Sequence, residues 1–297
     1  MSKYLNKLKR ILVITPDAIG STYFQRSLTV YLNYHGHTTI NYHDLCNLTT
    51  DLRDLVQTLS TDKTNIVARC SPYRSLEFGK DTEKYLKFCS YFFTDIYLIS
   101  RCSFESALSY CNTHQRTGVL NIYSKEQYHQ NKNKECYSID KKDFIQSLKY
   151  FEDFYIWADK YFPTSKKIKH SDLINDCDTF FKNEFNISSD KKLSLKDYNI
   201  FNTLRIRNGD LSNYSTDELL HFIDITDYID FLSQQNLLVH RHKFPLKKIT
   251  LSEKIKDISN FTELLDVYNN YPSNHFEKVT KKDLIHRKKK EYELWNI

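Results

Sequence analysis

Short apolar runs alternate along this chain with longer stretches in which apolar residues recur at helical spacing. The short runs predict buried strands at 10–15, 65–69, 95–100 and 166–170. The longer stretches predict helices at 21–34, 51–60, 81–92, 103–114, 141–161 and 171–184. Because strands that alternate with helices form parallel βαβ units, the predicted fold class is α/β with a doubly wound parallel sheet.

The regular alternation weakens toward the C-terminus. We therefore expect an α/β core over 1–189 and a mostly helical extension over 190–297 that packs on the same domain. A polar stretch at 124–138 is typical of a loop. The basic C-terminal segment is interpreted as a solvated helix whose apolar residues dock on the body, in preference to a nucleic-acid tail; these residues are Leu284, Ile285 and Trp295.

Composition and charge argue against several classes of protein. The formal net charge of the 297 residues is +6, which suits anionic small molecules and is too small to indicate nucleic-acid binding. Seven cysteines without a C-x-x-C pair argue against a disulfide scaffold and a structural zinc site. The apolar run near the start, Ile11 to Ile14, is shorter than the roughly 7–15 residues of a signal peptide or the roughly 18 of a membrane span. We expect a cytoplasmic protein without a membrane partner.

The first candidate site follows the first predicted strand. The segment T-P-D-A-I-G-S-T-Y-F-Q-R, residues 15–26, leads from that strand into the first helix. A tight turn with Gly20 followed by Ser21 and Thr22 at a helix N-terminus is typical of an anion cradle, since backbone N–H groups and the helix dipole converge there. The G-x-x-x-x-G-K-[ST] pattern is absent. The alternative is that Ser21 serves only as a helix cap.

A second candidate site follows the predicted strand at 95–100. Arg101 leaves the carboxyl end of that strand, and Ser109 follows eight residues later in R-C-S-F-E-S-A-L-S-Y. A guanidinium at such a strand end points into the crevice where doubly wound folds bind ligands, and it can hold a phosphate with two hydrogen bonds. The alternative is an Arg101 paired with Glu105 and a solvated Ser109.

Together the two segments resemble the sulfotransferase family, a branch of the P-loop fold. G-S-T-Y-F-Q-R-S-L is similar to the family's G-S-T-L-L-Q-R-L-L, and R-C-S-F-E-S-A-L-S-Y matches its R-x(7)-S-Y without a gap. In the same order, I-V-A-R-C-S-P resembles a strand ending in K-T-H-x-P, and K-I-K-H-S-D-L-I-N-D resembles a strand followed by Y-E-D-L. The resemblance covers roughly residues 8 to 186.

The resemblance implies a transferase that moves a sulfuryl group from 3′-phosphoadenosine 5′-phosphosulfate (PAPS) to a hydroxyl or amine of a small-molecule or carbohydrate acceptor. It implies that the 5′-phosphosulfate is held by the first loop and helix turn, Ile19, Gly20, Ser21, Thr22 and Tyr23. It also implies that Arg101 and Ser109 hold the 3′-phosphate. No metal is expected.

Two departures from the family pattern concern charge and the general base. The loop cation of the family is missing, since Asp17 and Ala18 stand in that stretch; Arg26 and Arg69 are candidates to replace it. The family's catalytic histidine corresponds to Ser71, so His43 or Asp44 is the candidate general base.

Two other functions stay open, and one further segment has two interpretations. One function is a sulfotransferase-like module that binds a nucleotide or carbohydrate without chemistry; the other is a kinase of related fold with an acid at Asp172. The segment R-I-R-N-G-D, with Arg207 and Gly209, is interpreted as an ordinary polar turn in preference to a nucleotide-closing loop.

Overall fold

The apolar run at 11–14 lies at the centre of a parallel sheet in the computed structural model of the protein. The structure describes residues 8–16, 21–42, 44–111, 138–170, 177–186, 204–205, 238–239 and 258–284. Five parallel strands stand in the order β2-β3-β1-β4-β5. They are β1 (Arg10–Ile14), β2 (Thr39–Tyr42), β3 (Asn65–Cys70), β4 (Asp95–Ser100) and β5 (Lys166–Lys169). A short antiparallel pair joins β6 (Leu204–Arg205) to β7 (Leu238–Val239).

Helices connect the parallel strands. In chain order they are α1 (Ser21–Tyr34), α2 (Leu52–Thr61), α3 (Pro72–Ser75), α4 (Thr82–Phe92), α5 (Ser103–Cys111), α6 (Lys141–Tyr161), α7 (Cys177–Phe185) and α8 (Phe261–Asn269). Short 3₁₀ turns at Leu45–Asn47 and Leu76–Asp81 precede α2 and α4. Among the described residues, no helix is both long enough and apolar enough to span a membrane.

The two faces of the sheet are covered by different helices, because successive side chains of a strand point to opposite sides. Ile11 and Val13 of β1 pack in one buried cluster with side chains of α1, α5, α7 and α8. Leu12 and Ile14 pack in a second buried cluster with side chains of α2 and α4. Helix α6 contributes to both clusters. Helices on both faces of an all-parallel sheet are compatible with the predicted doubly wound class.

Local sequence signals set several of the helix boundaries. Helix α1 ends at Tyr34 and is followed by Gly36, whose φ of +82° is left-handed; the N–H of His37 donates to the carbonyl of Leu32 at 2.9 Å. This is a Schellman arrangement, which glycine favours because it has no Cβ. Asp51 and Asp140 begin α2 and α6 by accepting hydrogen bonds from backbone N–H groups of the first turn.

The strands and helices predicted over 10–111 and 141–170 are confirmed within a residue or two at each end in the described part. Strand β2 was not predicted, because T-I-N-Y is short, half-buried and at the sheet edge, where no long apolar run is needed. Of the helix expected at 171–184, residues 177–185 are described and helical. The loop at 124–137 and the segment with Arg207 and Gly209 lie outside the described residues.

The segment 258–284 packs against the sheet-bearing part of the chain. Phe261 and Leu264 of α8 join the buried cluster that contains Val13 of β1. The side-chain amide of Asn260 bonds both main-chain groups of Ile139, accepting from its N–H at 3.1 Å and donating to its carbonyl at 2.9 Å. Leu284 is buried as expected, whereas Ile285 and Trp295 lie outside the described residues.

Candidate functional site

The carboxyl ends of β3, β1 and β4 lie side by side. Ile14 of β1 is in register with Cys70 of β3 and with Leu98 of β4. One residue later, the N–H of Thr15 donates to the carbonyl of Cys70 at 3.2 Å. Since all three strands are parallel, the segments that follow them leave the sheet at one edge, where open α/β sheets bind ligands. We call it the carboxyl edge.

The N-terminus of α1 belongs to the same edge. The chain leaves β1 there and must return to the opposite edge to begin the parallel strand β2, so α1 runs antiparallel to the strands with its N-terminus at the carboxyl edge. The partial positive charge of a helix N-terminus therefore faces this edge. Ile19 and Gly20 lie outside the described residues. Ser21, Thr22 and Tyr23 form the first turn of α1 by their backbone, and their side chains are not among those described.

Arg101 follows directly after β4 and is half-buried. Its Nε donates to Oε2 of Glu105 at 3.4 Å, and the Glu105 side chain is buried. Ser109 lies one turn beyond Glu105 in α5, so Arg101, Glu105 and Ser109 share one side of the helix start by their spacing of four. The ion pair between Arg101 and Glu105, which was the alternative interpretation of the sequence, is therefore present. A carboxylate stands between the two predicted phosphate ligands, and a phosphate would have to take the guanidinium from it.

Asp44 and Arg69 form a buried ion pair. Nε of Arg69 donates to Oδ1 of Asp44 at 2.8 Å and Nη2 donates to Oδ2 at 2.7 Å, with side-chain exposures of 9% for Arg69 and 2% for Asp44. Nε of the half-exposed Arg74 lies 3.8 Å from Oδ2 of the same carboxylate. From the sequence, Asp44 was a candidate general base and Arg69 was a candidate to replace the missing loop cation. The structure brings them together.

The location of Arg69 follows from strand register. Arg69 is paired with Val13 of β1, and Val67, two residues earlier on the same strand, packs on the α1 side of the sheet. Because side chains two residues apart point to the same face, Arg69 also emerges on the α1 side, close to where the first loop leaves β1. An arginine inside the buried run I-V-A-R-C was a signal in the sequence that a buried acidic partner must exist.

Ser71, the residue at the family's histidine position, serves as a helix cap. Its hydroxyl oxygen accepts from the N–H of Arg74 at 3.3 Å at the start of α3, and Pro72 occupies the first helical position. His43 and the side chain of Arg26 lie outside what is described. Asp172 also lies outside it.

Two amide oxygens on the α1 side near β2 were missed by the sequence reasoning. Oε1 of the fully buried Gln25 accepts no hydrogen bond within the described structure, while its Nε2 is 3.5 Å from the carbonyl of Tyr42. Oδ1 of Asn41, which is in register with Val67, is buried and likewise accepts none there. Such acceptors offer a hydrogen-bonding position to a hydroxyl or amine donor.

The described side chains near this edge include arginines, a residue type that can bind an anion. Within the described ranges, no group of three or more histidine, cysteine, aspartate and glutamate side chains is arranged to hold a metal ion. Burial, with the neighbouring Asp44 carboxylate, raises the pKa of the Cys46 thiol, which keeps that thiol protonated at neutral pH. Arg69 and Arg74 share the Asp44 carboxylate, and Arg101 is paired with Glu105.

Comparison of the chain with models of known protein families gave no match. The search among curated proteins gave no significant match either.

Proposed function

We propose that this protein is a sulfotransferase that uses PAPS as sulfuryl donor and a hydroxyl or amine of a small molecule or carbohydrate as acceptor. The observation that carries the proposal is the strand order. It makes β1 and β4 neighbours, so the loop after β1 and Arg101 after β4 leave the sheet at one edge. A donor with phosphate groups on the 5′ and 3′ positions of its ribose needs two anion sites on one side of the sheet, and a strand order that makes β1 and β4 neighbours supports that assignment.

The 5′ end of the donor is assigned to the first loop and the start of α1, with Gly20, Ser21 and Thr22 as its principal ligands and Ile19 and Tyr23 beside them. Backbone N–H groups and the dipole of a helix N-terminus favour a bound anion. Arg69 is in register with Val13, two residues before this segment begins at Thr15. We assign to Arg69 the charge that the family's loop lysine or arginine supplies.

The 3′-phosphate is assigned to Arg101 and Ser109. Arginine binds phosphate through two parallel N–H bonds, and each of these is stronger than a contact of the 3.4 Å length seen between Arg101 and Glu105. Phosphate binding would therefore turn the guanidinium away from Glu105. The buried carboxylate then holds Arg101 in place in the absence of ligand.

Sulfuryl transfer is an in-line displacement. The acceptor oxygen or nitrogen bonds to the sulfur while the bond from sulfur to the bridging phosphate oxygen breaks, and the acceptor proton passes to a base. Adenosine 3′,5′-bisphosphate is the product. Catalysis in such transfers consists of positioning and charge stabilisation. His43 remains the predicted base. Asp44 acts as base only if its carboxylate leaves Arg69, since both of its oxygens accept from that guanidinium.

Calorimetric titration with adenosine 3′,5′-bisphosphate tests the donor assignment. Arg101→Ala should weaken binding at least about tenfold, the effect of removing a charged hydrogen-bonding group worth about 1.5–3 kcal/mol. Lys167→Ala is the matched control, because Lys167 is an exposed cation on the neighbouring strand β5. Unchanged affinity in Arg101→Ala would show that the cofactor site is assigned wrongly.

A binding module without transferase activity is the second candidate. Three observations favour it: the loop has no lysine or arginine, Ser71 caps a helix, and Asp44 is engaged by Arg69. The two functions are separated by assaying transfer from labelled PAPS over a panel of hydroxyl and amine acceptors. Bisphosphate binding without any transfer would favour the module.

A further inference from the structure

Arg74 lies at the carboxyl edge with a guanidinium that only makes long contacts. It belongs to α3, which follows directly after β3, and its main-chain N–H donates to the Ser71 hydroxyl. Its Nε is 3.8 Å from Oδ2 of Asp44, and its Nη1 is 3.8 Å from Oε1 of Glu77. Both distances exceed that of a hydrogen bond, and within the part of the chain that the structure describes no guanidinium N–H of Arg74 forms one. The side chain is 40% exposed, so a ligand can reach it.

The two neighbouring carboxylates hold Arg74 only weakly. Both oxygens of Asp44 already accept hydrogen bonds from Arg69, so this carboxylate balances the charge of the buried arginine first. Glu77 is itself 44% exposed, and an ion pair of such side chains is worth little in water. An oxyanion of a ligand that accepts two hydrogen bonds from Arg74 would therefore displace Glu77 at small cost.

An exposed aromatic ring adjoins this guanidinium. Tyr73 is 61% exposed, and Cζ of Arg74 lies 5.7 Å from the centroid of its ring. The guanidinium covers part of the ring and leaves most of it open to solvent. A ligand that combines a ring with an acidic group can pack on Tyr73 and pair with Arg74 at the same time.

The strand order assigns Arg74 to the half of the edge that faces the acceptor. The proposed donor occupies the ends of β1 and β4, whereas β3 and β2 lie on the other side of β1. In an in-line transfer the acceptor attacks sulfur from the side opposite the leaving oxygen, which is the side of β3 and β2. The segment after β3 begins beside the first loop, because the N–H of Thr15 donates to the carbonyl of Cys70 at 3.2 Å. The candidate bases His43 and Asp44 follow β2 on this same half.

We propose that Arg74 and Tyr73 bind the acceptor, and that the acceptor is an acidic carbohydrate whose carboxylate or sulfate ester pairs with Arg74 while a sugar ring packs on Tyr73. The inference rests on the proposed function and deepens it, because it narrows the acceptor from any hydroxyl or amine to one that carries a negative charge. Arg74 is then the residue that selects charged acceptors over neutral ones.

Calorimetric titration of the full chain with two matched pairs of oligosaccharides tests the proposal. One pair is oligogalacturonate and its neutral methyl ester; the other is sulfated maltohexaose and maltohexaose. Adenosine 3′,5′-bisphosphate is present to fill the donor site. The wild type should bind at least one charged probe about tenfold more tightly than its neutral partner, and Arg74→Ala should reduce that ratio to less than about twofold. The pair that shows the preference identifies carboxylate or sulfate ester as the recognised group.

Matched variants separate the site from bulk charge. Lys63 is an exposed cation two residues before β3 begins, so Lys63→Ala removes the same charge at the opposite end of that strand and should keep the preference. Arg74→Lys keeps the charge without the planar fork and should retain only part of the preference. Since these side chains are exposed, all three variants should melt near the wild-type temperature.

A second pair of variants tests the aromatic ring. Tyr73→Ala should weaken the charged and the neutral probe alike, by roughly threefold, because the lost packing does not depend on charge. Tyr91→Ala is its control, since Tyr91 is an exposed tyrosine near the end of α4, and it should change neither affinity. Equal effects of the two tyrosine variants would overturn the role of Tyr73.

The outcomes for the charged group are equally decisive. A wild type without a preference for charged probes, including one that binds no probe, would overturn the proposal. So would a preference that survives Arg74→Ala or that falls equally in Lys63→Ala, because the charge dependence would then arise elsewhere. Titrations repeated without nucleotide separate the two proposals. A preference that depends on Arg74, in a protein that does not bind the bisphosphate, would refute the proposed donor and leave this anion site standing.

Discussion

Replacing Asp44 by alanine should destabilise the protein strongly. The replacement removes the carboxylate that accepts two hydrogen bonds from Arg69, at 2.8 and 2.7 Å, and leaves a guanidinium that is 9% exposed. The guanidinium stays charged, because arginine is not deprotonated in proteins. Breaking a buried pair from one side costs about 3–5 kcal/mol, because the remaining buried charge loses this carboxylate without regaining its hydration. The more exposed contact with Arg74 at 3.8 Å adds little.

Thermal unfolding followed by circular dichroism measures this effect. At roughly 2–4 °C per kcal/mol for a chain of this size class, Asp44→Ala should lower the midpoint by about 10 °C. The double variant Asp44→Leu with Arg69→Met removes both charges and should recover much of that loss. A single variant that melts within 2 °C of the wild type would refute the description of a buried, mutually dependent pair.

A second substitution of Asp44 distinguishes a structural role of this residue from a catalytic one. Asp44→Asn keeps the shape of the side chain and removes its charge. If Asp44 chiefly holds Arg69, this variant should lower both stability and affinity for adenosine 3′,5′-bisphosphate. If Asp44 is the general base, transfer should disappear while bisphosphate affinity stays at the wild-type value.

Two further predictions concern the C-terminal segment and the tyrosines of the core. Asn260→Ala should cost about 1–3 kcal/mol in unfolding free energy, because it leaves the main-chain groups of Ile139 without partners; the exposed Asn270→Ala is the control and should cost less than about 0.5 kcal/mol. Burial, and after it the Asp178 carboxylate, raises the pKa of Tyr31 to about 12. Because an unfolded tyrosine ionises near pH ~10, the stabilisation from the neutral phenol is complete below that pH and is lost as the pH rises toward 12. Unfolding measured across this window should show a shallower loss in Tyr31→Phe, and an unchanged slope would contradict the assignment.

Elements defined by their own periodicity were predictable from sequence. The run around Ile11–Ile14 and the apolar spacing in 21–34 specify a buried strand and an amphipathic helix without reference to the rest of the chain. Gly36, which follows α1, is also a local signal, since glycine adopts the left-handed backbone found there without a Cβ clash. Strand β2 was not predictable in this way, because its four residues, of which three are half-buried, become a strand only by pairing with β3.

The candidate site also combines features that were predictable from sequence with features that only the tertiary structure decides. The sequence placed Arg101 after a strand and offered Glu105, one helical turn away, as its partner, and that local pairing is present. It gave no means of pairing Asp44 with Arg69 across 25 residues or Asn260 with Ile139 across 121 residues. Spacing along the chain decides which side chains share a helix face or a strand face. Which faces meet is decided by the burial of apolar surface from the whole chain, so the partners of buried polar groups are settled only when the sheet and its helices have packed.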